Sequence, residues 1–491
     1  MPETALNAET SPTELEQILS RTARAAPAYS AMPLRTRTAL LDAVADALDA
    51  SGKELIPIAI EETHLSHGRL SGELARTTFQ LRLLADEMRS GRPLDVRIDL
   101  PDPDWGSGPR PDLRAMRIPI GPVLNFAAGN FPFAFSVAGG DTAAALSAGC
   151  PVIVKAHPGH PQLSAATARI VSAVLAEHGA PDGTFALLTG DQAARAALTD
   201  HRIKAGAFTG SPTAGRALFD LANSRPDPIP FYAEMGGINP VFVTPSAVDE
   251  RGRQIAQGLA ASFALGVGQF CTSPGTVFVP DHAADGFAAE VISAVQDAQP
   301  EPMLNDRIMQ GYLEGLQALH ATPGVQAAHL GKRSETGVTP SVLRTTLPAV
   351  LANPPAYLHE CFGPVTLIVD TPAGRLPDAA RLPTGELTAT IHCTDPDPAA
   401  PELMALLLPR VGRLVFNGWP TGVAVAHAMT HGGPYPASTL PLGTSVGTAA
   451  LERFLRLVTI QDAPPALLPE ALRDGVPIKT AHPTRTRPER R

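Results

Sequence analysis

The sequence predicts an α/β protein, and three observations lead to this fold class. From residue 116 onward, short apolar runs alternate with longer stretches of helical spacing, and a second series of the same kind begins near Asn239. Strands that alternate with helices in this way form parallel sheets with crossover helices on their faces. Residues 92–114 interrupt the pattern, because they are rich in Pro, Asp and Gly, and they predict a hairpin or arm.

The region before this excursion is predicted to be helical. Residues 11–14, SPTE, form a capping box with proline at the first helical position. Leu41, Val44 and Leu48 recur at helical spacing and predict a second, amphipathic helix. We expect both helices to pack on the outside of a larger unit.

The first strand–helix series has strand-like runs at residues 123–128, 152–154, 185–188 and 203–208. Its helical stretches are residues 143–148, residues 165–175 and a stretch that starts at Ala214. A nucleotide would bind at the carboxyl ends of such parallel strands. The second series has strand-like runs at residues 241–243, 277–279, 365–369 and 414–416.

Length and composition limit the class of protein. The 491 residues correspond to roughly three domains of ~150 residues, and 44% of them are apolar, which is enough for a large core. The net charge of −9 argues against a surface that coats nucleic acid, which is usually basic. No apolar stretch approaches the ~18 residues of a membrane span, and the polar N-terminus has no secretory signal. We therefore expect neither nucleic acid nor membrane as a partner.

The four cysteines are scattered through the chain and contain no C-x-x-C pair. Disulfide scaffolds and cysteine-based zinc sites need closer spacings, so neither is predicted and no metal is expected. The compartment that fits this cysteine usage is the reducing cytoplasm.

The C-terminal residues 479–491 carry five Lys or Arg side chains and one Glu. We interpret them as a basic disordered tail that is solvated at the end of the chain. A role in nucleic-acid binding is the alternative interpretation.

Cys271 is the candidate nucleophile. It lies in residues 268–275, GQFCTSPG, where flexible and polar backbone can leave a sulfur exposed. A thiol suits nucleophilic attack because a few per cent of it is thiolate at pH 7 even when unperturbed. The alternative is a buried cysteine that acts as a small hydrophobic residue, which fits Cys150 and Cys393.

Glu234 is the candidate general base. It ends a strand-like run in residues 231–237, FYAEMGG, where apolar neighbours would partly desolvate it. Desolvation raises the pKa of a carboxyl group toward the range that suits a general base. The alternative is an ordinary glutamate at the end of a strand.

Asn130 and residues 208–215 offer two further features. Asn130 follows Gly129 and carries an uncharged amide donor that suits an oxyanion, although asparagine after glycine often only forms a turn. Residues 208–215, FTGSPTAG, join a strand to a helix whose free N–H groups suit a phosphate. ATP hydrolysis is disfavoured because Arg216 stands where a P-loop needs lysine.

Taken together, the motifs resemble the aldehyde dehydrogenase superfamily over residues 10–465. The motifs, in order, are NFP at 130–132, Lys155 at a strand end, FTGS at 208–211, EMGG at 234–237, GQFC at 268–271 and ECFGP at 360–364. The spacing of 37 residues between Glu234 and Cys271 also agrees with the resemblance to this superfamily. The segments AGNFPFAFS at 128–136, KAHP at 155–158 and HGGPYPA at 431–437 resemble one branch, which holds the 2-oxoglutarate semialdehyde (2,5-dioxopentanoate) dehydrogenases and the NADP-dependent fatty aldehyde dehydrogenases.

The resemblance implies catalytic roles. Cys271 would be the nucleophile, Glu234 the general base, and Asn130 with the Cys271 N–H the oxyanion hole. His431 would lie near the nucleophile, although a loop histidine bonded to backbone is an equal alternative. Gly129 stands where the superfamily often has Trp, a change that this branch tolerates.

The resemblance also implies a coenzyme, NADP or NAD. Lys155 and Glu360 would hold the adenine-side and nicotinamide-side ribose hydroxyls, and Phe362 would lie near the nicotinamide. The residues that would face the pyrophosphate are Phe208, Thr209, Gly210, Ser211 and Gly215. Pro158 stands where Ser or Thr could bond a 2′-phosphate, which weakens the case for strict NADP use.

The implied architecture is a Rossmann-like cofactor domain, an α/β catalytic domain and a small oligomerisation arm. The predicted parts are residues 1–94 and 115–236 for coenzyme binding, 237–440 for catalysis, 95–114 and 441–478 for the arm and C-terminal segment, and 479–491 for the tail. We expect the arm to build a homodimer or a homotetramer.

The function that the resemblance implies is oxidation of a small-molecule aldehyde to an acid through a cysteine thioester, with 2-oxoglutarate semialdehyde as the expected substrate. The alternatives are a fatty aldehyde, an acyl-CoA-forming oxidation, and a catalytically idle binding protein on the same scaffold. A substrate carboxylate needs an Arg or Lys partner, for which Arg453 and Arg456 are the suggested residues.

Overall fold

The computed structural model describes residues 9–475, so the predicted basic tail, residues 479–491, lies outside the described residues. The strands in chain order are β1 (Arg97–Asp99), β2 (Leu113–Pro119), β3 (Val123–Phe126), β4 (Val152–Lys155), β5 (Phe185–Leu188), β6 (Ala205–Thr209), β7 (Phe231–Glu234), β8 (Val241–Val243), β9 (Thr276–Pro280), β10 (Gln326–His329), β11 (Arg333–Ser334), β12 (Gly337–Val338), β13 (Ser341–Thr346), β14 (Val365–Thr371), β15 (Glu386–His392), β16 (Val411–Phe416) and β17 (Leu455–Gln461).

The α-helices in chain order are α1 (Pro12–Ala31), α2 (Leu34–Ala50), α3 (Gly52–Thr63), α4 (His67–Arg89), α5 (Gly140–Ala148), α6 (Pro161–Glu177), α7 (Asp191–Thr199), α8 (Pro212–Asn223), α9 (Pro245–Ala264), α10 (Asp281–Val295), α11 (Asp306–Ala321), α12 (Leu347–Ala352), α13 (Pro354–Tyr357), α14 (Leu376–Ala380) and α15 (Ala400–Leu407). Within residues 9–475, none of the helices has both the length and the apolar character that crossing a bilayer requires.

Both predicted N-terminal helices are present. Helix α1 begins with the predicted capping box: the Ser11 side chain accepts a hydrogen bond from the Glu14 N–H, and the Glu14 carboxylate accepts one from the Ser11 N–H. Helix α2 buries Leu41, Val44 and Leu48 against the first sheet and its neighbouring helices.

Five parallel strands form the first sheet, in the order β5-β4-β3-β6-β7. Successive residues of the central strand β3 point to opposite faces, as strand geometry requires. Val123 joins the core made with helices α2–α6, whereas Leu124 joins the core made with α1, α7 and α8. Because both faces are covered, the central strands appear in the sequence as apolar runs, and the predicted first series is confirmed.

Seven strands form the second sheet, in the order β10-β13-β14-β9-β8-β15-β16. Strand β10 is antiparallel to β13, and the other strands are parallel to their neighbours. The four strands predicted for the second series correspond to β8, β9, β14 and β16. Strands β13 and β15 were not predicted, although each has a neighbouring strand on both sides in the sheet. The α/β fold class is confirmed.

The Pro/Asp-rich excursion is a hairpin that joins a third, antiparallel sheet of order β1-β2-β17. Asp102 and Arg110 pair through their backbones across the hairpin. Strand β17 pairs with β2 along its whole length, from Leu455 opposite Pro119 to Gln461 opposite Leu113. The C-terminal segment therefore adds a third strand to the predicted hairpin.

Candidate active site

Cys271 follows helix α9 at the end of a tight turn. Gly266, Val267 and Gly268 have φ values of 56°, 58° and 66°, so the chain reverses within a few residues. Position 268 requires glycine, because a Cβ there would collide with the carbonyl group of Gly363. This close approach holds the Cys271 loop against the 360–364 segment.

Burial separates Cys271 from two of the other cysteines. Cys150 and Cys393 are buried, as expected for small hydrophobic residues, whereas Cys271 is only partly buried. As a whole residue, Cys271 is therefore more exposed than Cys150 and Cys393.

The Cys271 thiol lies beside His431 and Glu234. Sγ of Cys271 is 3.5 Å from Nε2 of His431, and the same nitrogen is 2.8 Å from Oε1 of Glu234. The Ser445 hydroxyl donates a hydrogen bond to Oε2 of Glu234. One ring nitrogen therefore lies between the candidate nucleophile and the candidate base. Thiol, imidazole and carboxylate within 4.8 Å of one another are also donors that zinc binds.

Backbone pairing brings the His431 loop to Glu234. Glu234 ends strand β7 and forms an isolated antiparallel bridge with Ser438. The Met235 N–H donates to the Ala437 carbonyl at 2.8 Å, and the Ser445 N–H donates to the His431 carbonyl at 2.8 Å. These contacts place two polar side chains, from positions 431 and 445, against one carboxylate.

The surroundings of the site shift the pKa values of Cys271 and Glu234 in opposite directions. Burial raises the pKa of the Cys271 thiol well above its ordinary value, and the negative charges of Glu234 and Glu360 raise it further. Burial also acts to raise the pKa of Glu234, but His431, the Ser445 hydroxyl and the Arg453 charge outweigh it and leave the pKa lowered. Desolvation acts in the predicted direction, but the predicted net rise of the Glu234 pKa is wrong, because His431, Ser445 and Arg453, about 200 residues further along the chain, stabilise the charged form. The resting site thus holds a protonated thiol and an ionised carboxylate.

Asn130 lies on the other side of the Cys271 loop. Its Nδ2 donates to the Gln269 carbonyl oxygen at 3.1 Å, two residues before the thiol. Asn130 follows β3, and Gly129 before it lies against the His157 ring, where a Cβ would collide. The structure thus brings the amide of Asn130 to the same loop as the candidate nucleophile.

Lys155 and Phe208 flank the central strand of the first sheet at its carboxyl end. Phe126 pairs in register with Lys155 on one side and with Phe208 on the other. The Lys155 ammonium lies 2.8 Å from a carboxylate oxygen of Asp191. These positions lie where a nucleotide binds on a parallel sheet.

The turn after β6 leads directly into helix α8. Thr209 ends the strand, Gly210 follows it, and Ser211 caps the helix by accepting a hydrogen bond from the Ala214 N–H. Gly215 lies in the first turn of the helix, where a Cβ would collide with the Met235 side chain. Glycine there allows α8 to pack closely on the strand that carries Glu234.

Glu360 and Phe362 line a cavity on the catalytic side, together with Gly237 and Phe270. Burial and the neighbouring Glu386 carboxylate raise the pKa of Glu360 to about 8. Gly236 faces the Glu360 carboxyl so closely that any Cβ would collide with it.

The sequence analysis did not identify Ser445, which contacts Glu234. Ser445 lies in a Gly-Thr-Ser run that carries no catalytic signal.

The two arginines suggested as partners of the substrate carboxylate do not fit that role. Arg453 is buried in an ion pair with Asp141, and Arg456 is exposed on strand β17. The Arg453 guanidinium is therefore already paired with Asp141, and Arg456 belongs to the antiparallel sheet of the arm, β1-β2-β17.

Comparison with known proteins gives one family. The model of the aldehyde dehydrogenase family matches residues 4–460. An alpha-ketoglutaric semialdehyde dehydrogenase of Acinetobacter baylyi is 41% identical over 471 residues, which cover 95% of this chain and 89% of that protein. The alpha-ketoglutaric semialdehyde dehydrogenase 2 of Azospirillum brasilense is 45% identical over 460 residues, covering 92% of this chain and 87% of that protein.

Solved structures share the fold. An NADP-dependent glyceraldehyde-3-phosphate dehydrogenase from Bacillus halodurans, complexed with NADP, matches with a TM-score of 0.77 at 23% identity, covering 92% of each chain. A 1-pyrroline-5-carboxylate dehydrogenase from Thermus with bound NAD matches with a TM-score of 0.76 at 20% identity, covering 92% of this chain and 86% of that one. With the fold, the family model and both relatives in agreement, the chain belongs to the aldehyde dehydrogenase family.

Proposed function

We propose that this protein oxidises 2-oxoglutarate semialdehyde to 2-oxoglutarate with NADP or NAD as coenzyme. The observation that carries the reaction class is the contact of the Cys271 thiol with His431, whose same ring nitrogen contacts Glu234. Support for the substrate comes from the two semialdehyde dehydrogenases at 41% and 45% identity.

The residues at the predicted coenzyme positions fit a dinucleotide. The Lys155 ammonium and the Glu360 carboxyl can bond ribose hydroxyls, and the free N–H groups at the start of α8 suit a pyrophosphate. When bound, the coenzyme accepts a hydride from the aldehyde carbon.

Attack on the aldehyde begins with a protonated thiol, so a proton acceptor is needed. Nε2 of His431, 3.5 Å from Sγ, can take this proton when it carries none of its own, and the N–H so formed can donate to the ionised Glu234 carboxylate at 2.8 Å. The sulfur then bonds to the aldehyde carbon, and the carbonyl electron pair moves to oxygen. In this proposal the Asn130 amide and the Cys271 N–H donate to that oxyanion.

Release of the acid requires a base for water. Once the carbon is a Cys271 thioester, Glu234 can accept a proton from the attacking water, because its lowered pKa keeps it ionised. The C–S bond breaks, and the sulfur leaves as the thiolate. The presence of Glu234 favours this hydrolysis over transfer to coenzyme A, and free acid should form without added coenzyme A.

The substrate proposal predicts an order of specificity. We expect kcat/KM for 2-oxoglutarate semialdehyde to exceed the values for hexanal and decanal. The reason is that the semialdehyde carries a carboxylate that can form a charge-assisted contact, which the two alkanals cannot form. A fatty-aldehyde enzyme would instead gain roughly 0.8 kcal/mol per buried CH₂. Steady-state rates with both coenzymes measure this. A kcat/KM that rises steadily from C4 to C10, with a poor semialdehyde rate, would identify the fatty-aldehyde alternative.

We also infer that the protein is a cytoplasmic homodimer or homotetramer assembled partly through the arm. The four cysteines are free, which agrees with a reducing compartment. The arm leaves Leu100 and Trp105 exposed in the hairpin loop and Leu457 exposed on β17, and exposed apolar surface beside a sheet edge favours association.

The assembly inference predicts a dimer or tetramer mass by light scattering at micromolar concentration. Trp105→Ser with Leu457→Ser should shift the mass toward the monomer, because it removes apolar area from the exposed sheet. Leu330→Ser, at an exposed leucine outside the arm, is the matched control. A monomeric wild-type protein would refute the inference.

A further inference from the structure

We propose that Arg76 and Arg413 together bind the carboxylate of the substrate beside Cys271. The proposal rests on the proposed function and names the side chains that select a semialdehyde carrying a carboxylate. It replaces Arg453 and Arg456, whose positions do not suit this contact.

The two arginines come from distant parts of the chain and meet at one loop. Arg76 lies on helix α4, packed on the first sheet, and Arg413 lies on β16 at the edge of the second sheet. Arg413 Nη1 donates to the Gly422 carbonyl at 3.0 Å, and Arg76 Nη2 donates to the next carbonyl, of Val423, at 3.4 Å. The two guanidinium groups are therefore held by consecutive carbonyls of one loop, residues 422–423.

Each guanidinium keeps a spare donor. Among residues 9–475, Nη1 of Arg76 and Nε of Arg413 are buried and have no hydrogen-bond partner. Buried N–H groups are nearly always paired, so two unpaired ones in guanidinium groups bound to the same loop indicate a missing acceptor. A carboxylate has two oxygens that can accept from two such groups.

Both charges act on the candidate nucleophile. Burial lowers the pKa of Arg76 and of Arg413, and a negative charge on Cys271 opposes the shift in each case. The Arg76 guanidinium lies 5.2 Å from the centre of the Phe135 ring, which is 6.2 Å from the His431 ring. The Phe135 ring therefore lies between Arg76 and His431, whose Nε2 is 3.5 Å from the Cys271 sulfur.

A third arginine nearby is already occupied. Arg69 forms an ion pair with Glu73 at 3.3 Å and stacks over the rings of Phe131 and Phe270, at 4.4 and 4.7 Å from their centres. The Phe131 and Phe270 rings and two partly unpaired guanidinium groups thus lie near the Cys271 loop. Such a surface favours a short aldehyde with a carboxylate, because an alkyl chain would cover charged groups without pairing them.

The test compares two substrates in each variant. We would measure kcat/KM for 2-oxoglutarate semialdehyde and for pentanal in the wild type, Arg76→Met and Arg413→Met. Methionine keeps much of the side-chain volume but removes the charge and the donors. We expect the semialdehyde value to fall about 30-fold or more in each variant, and the pentanal value to change less than about threefold. Arg82→Met is the matched control, since Arg82 lies on the same helix and pairs only with Asp46 and Asp49 at the surface.

The outcomes separate this proposal from the proposed function. A wild type that prefers pentanal refutes the proposed function itself. A wild type that prefers the semialdehyde, with both variants keeping that preference, overturns the assignment of the arginines. Equal losses on both substrates also overturn it, because they indicate only that the arginines hold the 420–423 loop. If a methionine variant does not fold, the lysine variant at that position replaces it. A partial loss of preference is then expected, and an unchanged preference contradicts the proposal.

Discussion

Cys271→Ala is expected to abolish aldehyde oxidation while coenzyme binding persists. The substitution removes the atom that forms the covalent bond, and losing such a step costs several orders of magnitude in rate. The proposed ribose and pyrophosphate contacts lie at the ends of β4 and β6 and in the 360–364 segment. Steady-state oxidation of the semialdehyde, with coenzyme titration by fluorescence, measures both effects. Cys150→Ala is the matched control because that thiol is fully buried. Retention of more than a few per cent of activity in Cys271→Ala would exclude it as the nucleophile.

The same residue gives a pH-dependent result in the wild type. Since burial raises the pKa of Cys271, its thiol is protonated at neutral pH, and the thiolate fraction increases by about tenfold for each pH unit below that pKa. We expect inactivation by iodoacetamide to accelerate up to at least pH 9, with no labelling at this position in Cys271→Ala. A rate that levels off below pH 8 would contradict the raised pKa.

Glu234→Gln is expected to convert turnover into a single burst. Glutamine keeps the shape of the side chain and can still contact Ser445 and His431, but it cannot take a proton from water. One NAD(P)H per active site should form quickly, after which the thioester hydrolyses slowly. We expect the steady-state rate to fall by about 10²–10⁴-fold, the contribution typical of a general base.

Stopped-flow absorbance followed by mass spectrometry of the quenched enzyme measures this prediction. The burst should coincide with an acyl group on Cys271. Glu314→Gln, at an exposed glutamate of helix α11, is the matched control and should turn over normally. Normal turnover in Glu234→Gln would refute the assignment of the base, and the absence of a burst would show that the attack step itself requires the Glu234 charge.

The fold could be predicted from the sequence wherever strands are continuous apolar runs. Strands β3, β4, β8 and β9 are buried on both faces, so their residues carry the signal themselves. Strand β15, ELTATIH, is equally buried but contains polar residues, and the Thr388 hydroxyl donates to Asn239 Oδ1 at 3.0 Å. That hydroxyl is paired by a tertiary contact, which no local pattern reveals, whereas Thr390 Oγ1 and both ring nitrogens of His392 have no hydrogen-bond partner among residues 9–475.

The residues of the candidate site also form two groups: those that short sequence motifs indicate, and those that only the fold brings to the site. Cys271, Glu234 and Asn130 stand in short motifs, because loops and strand ends of special geometry need particular neighbouring residues such as Gly268 and Gly236. Ser445, Arg76 and Arg413 lie in ordinary contexts on a loop, a helix and a strand. Their roles depend on which elements meet, so the sequence around each one contains no sign of them.

By itself, the sequence determined the α/β class, the two parallel series, the family resemblance and the candidate residues for the chemistry. The tertiary structure alone decided that one nitrogen of His431 lies between Cys271 and Glu234, and that the pKa of Glu234 is lowered rather than raised. Local patterns report burial, which acts to raise the pKa of a carboxyl group. The net shift depends on charges and donors within a few ångströms, and here those come from residues about 200 positions further along the chain, which only folding brings to the site.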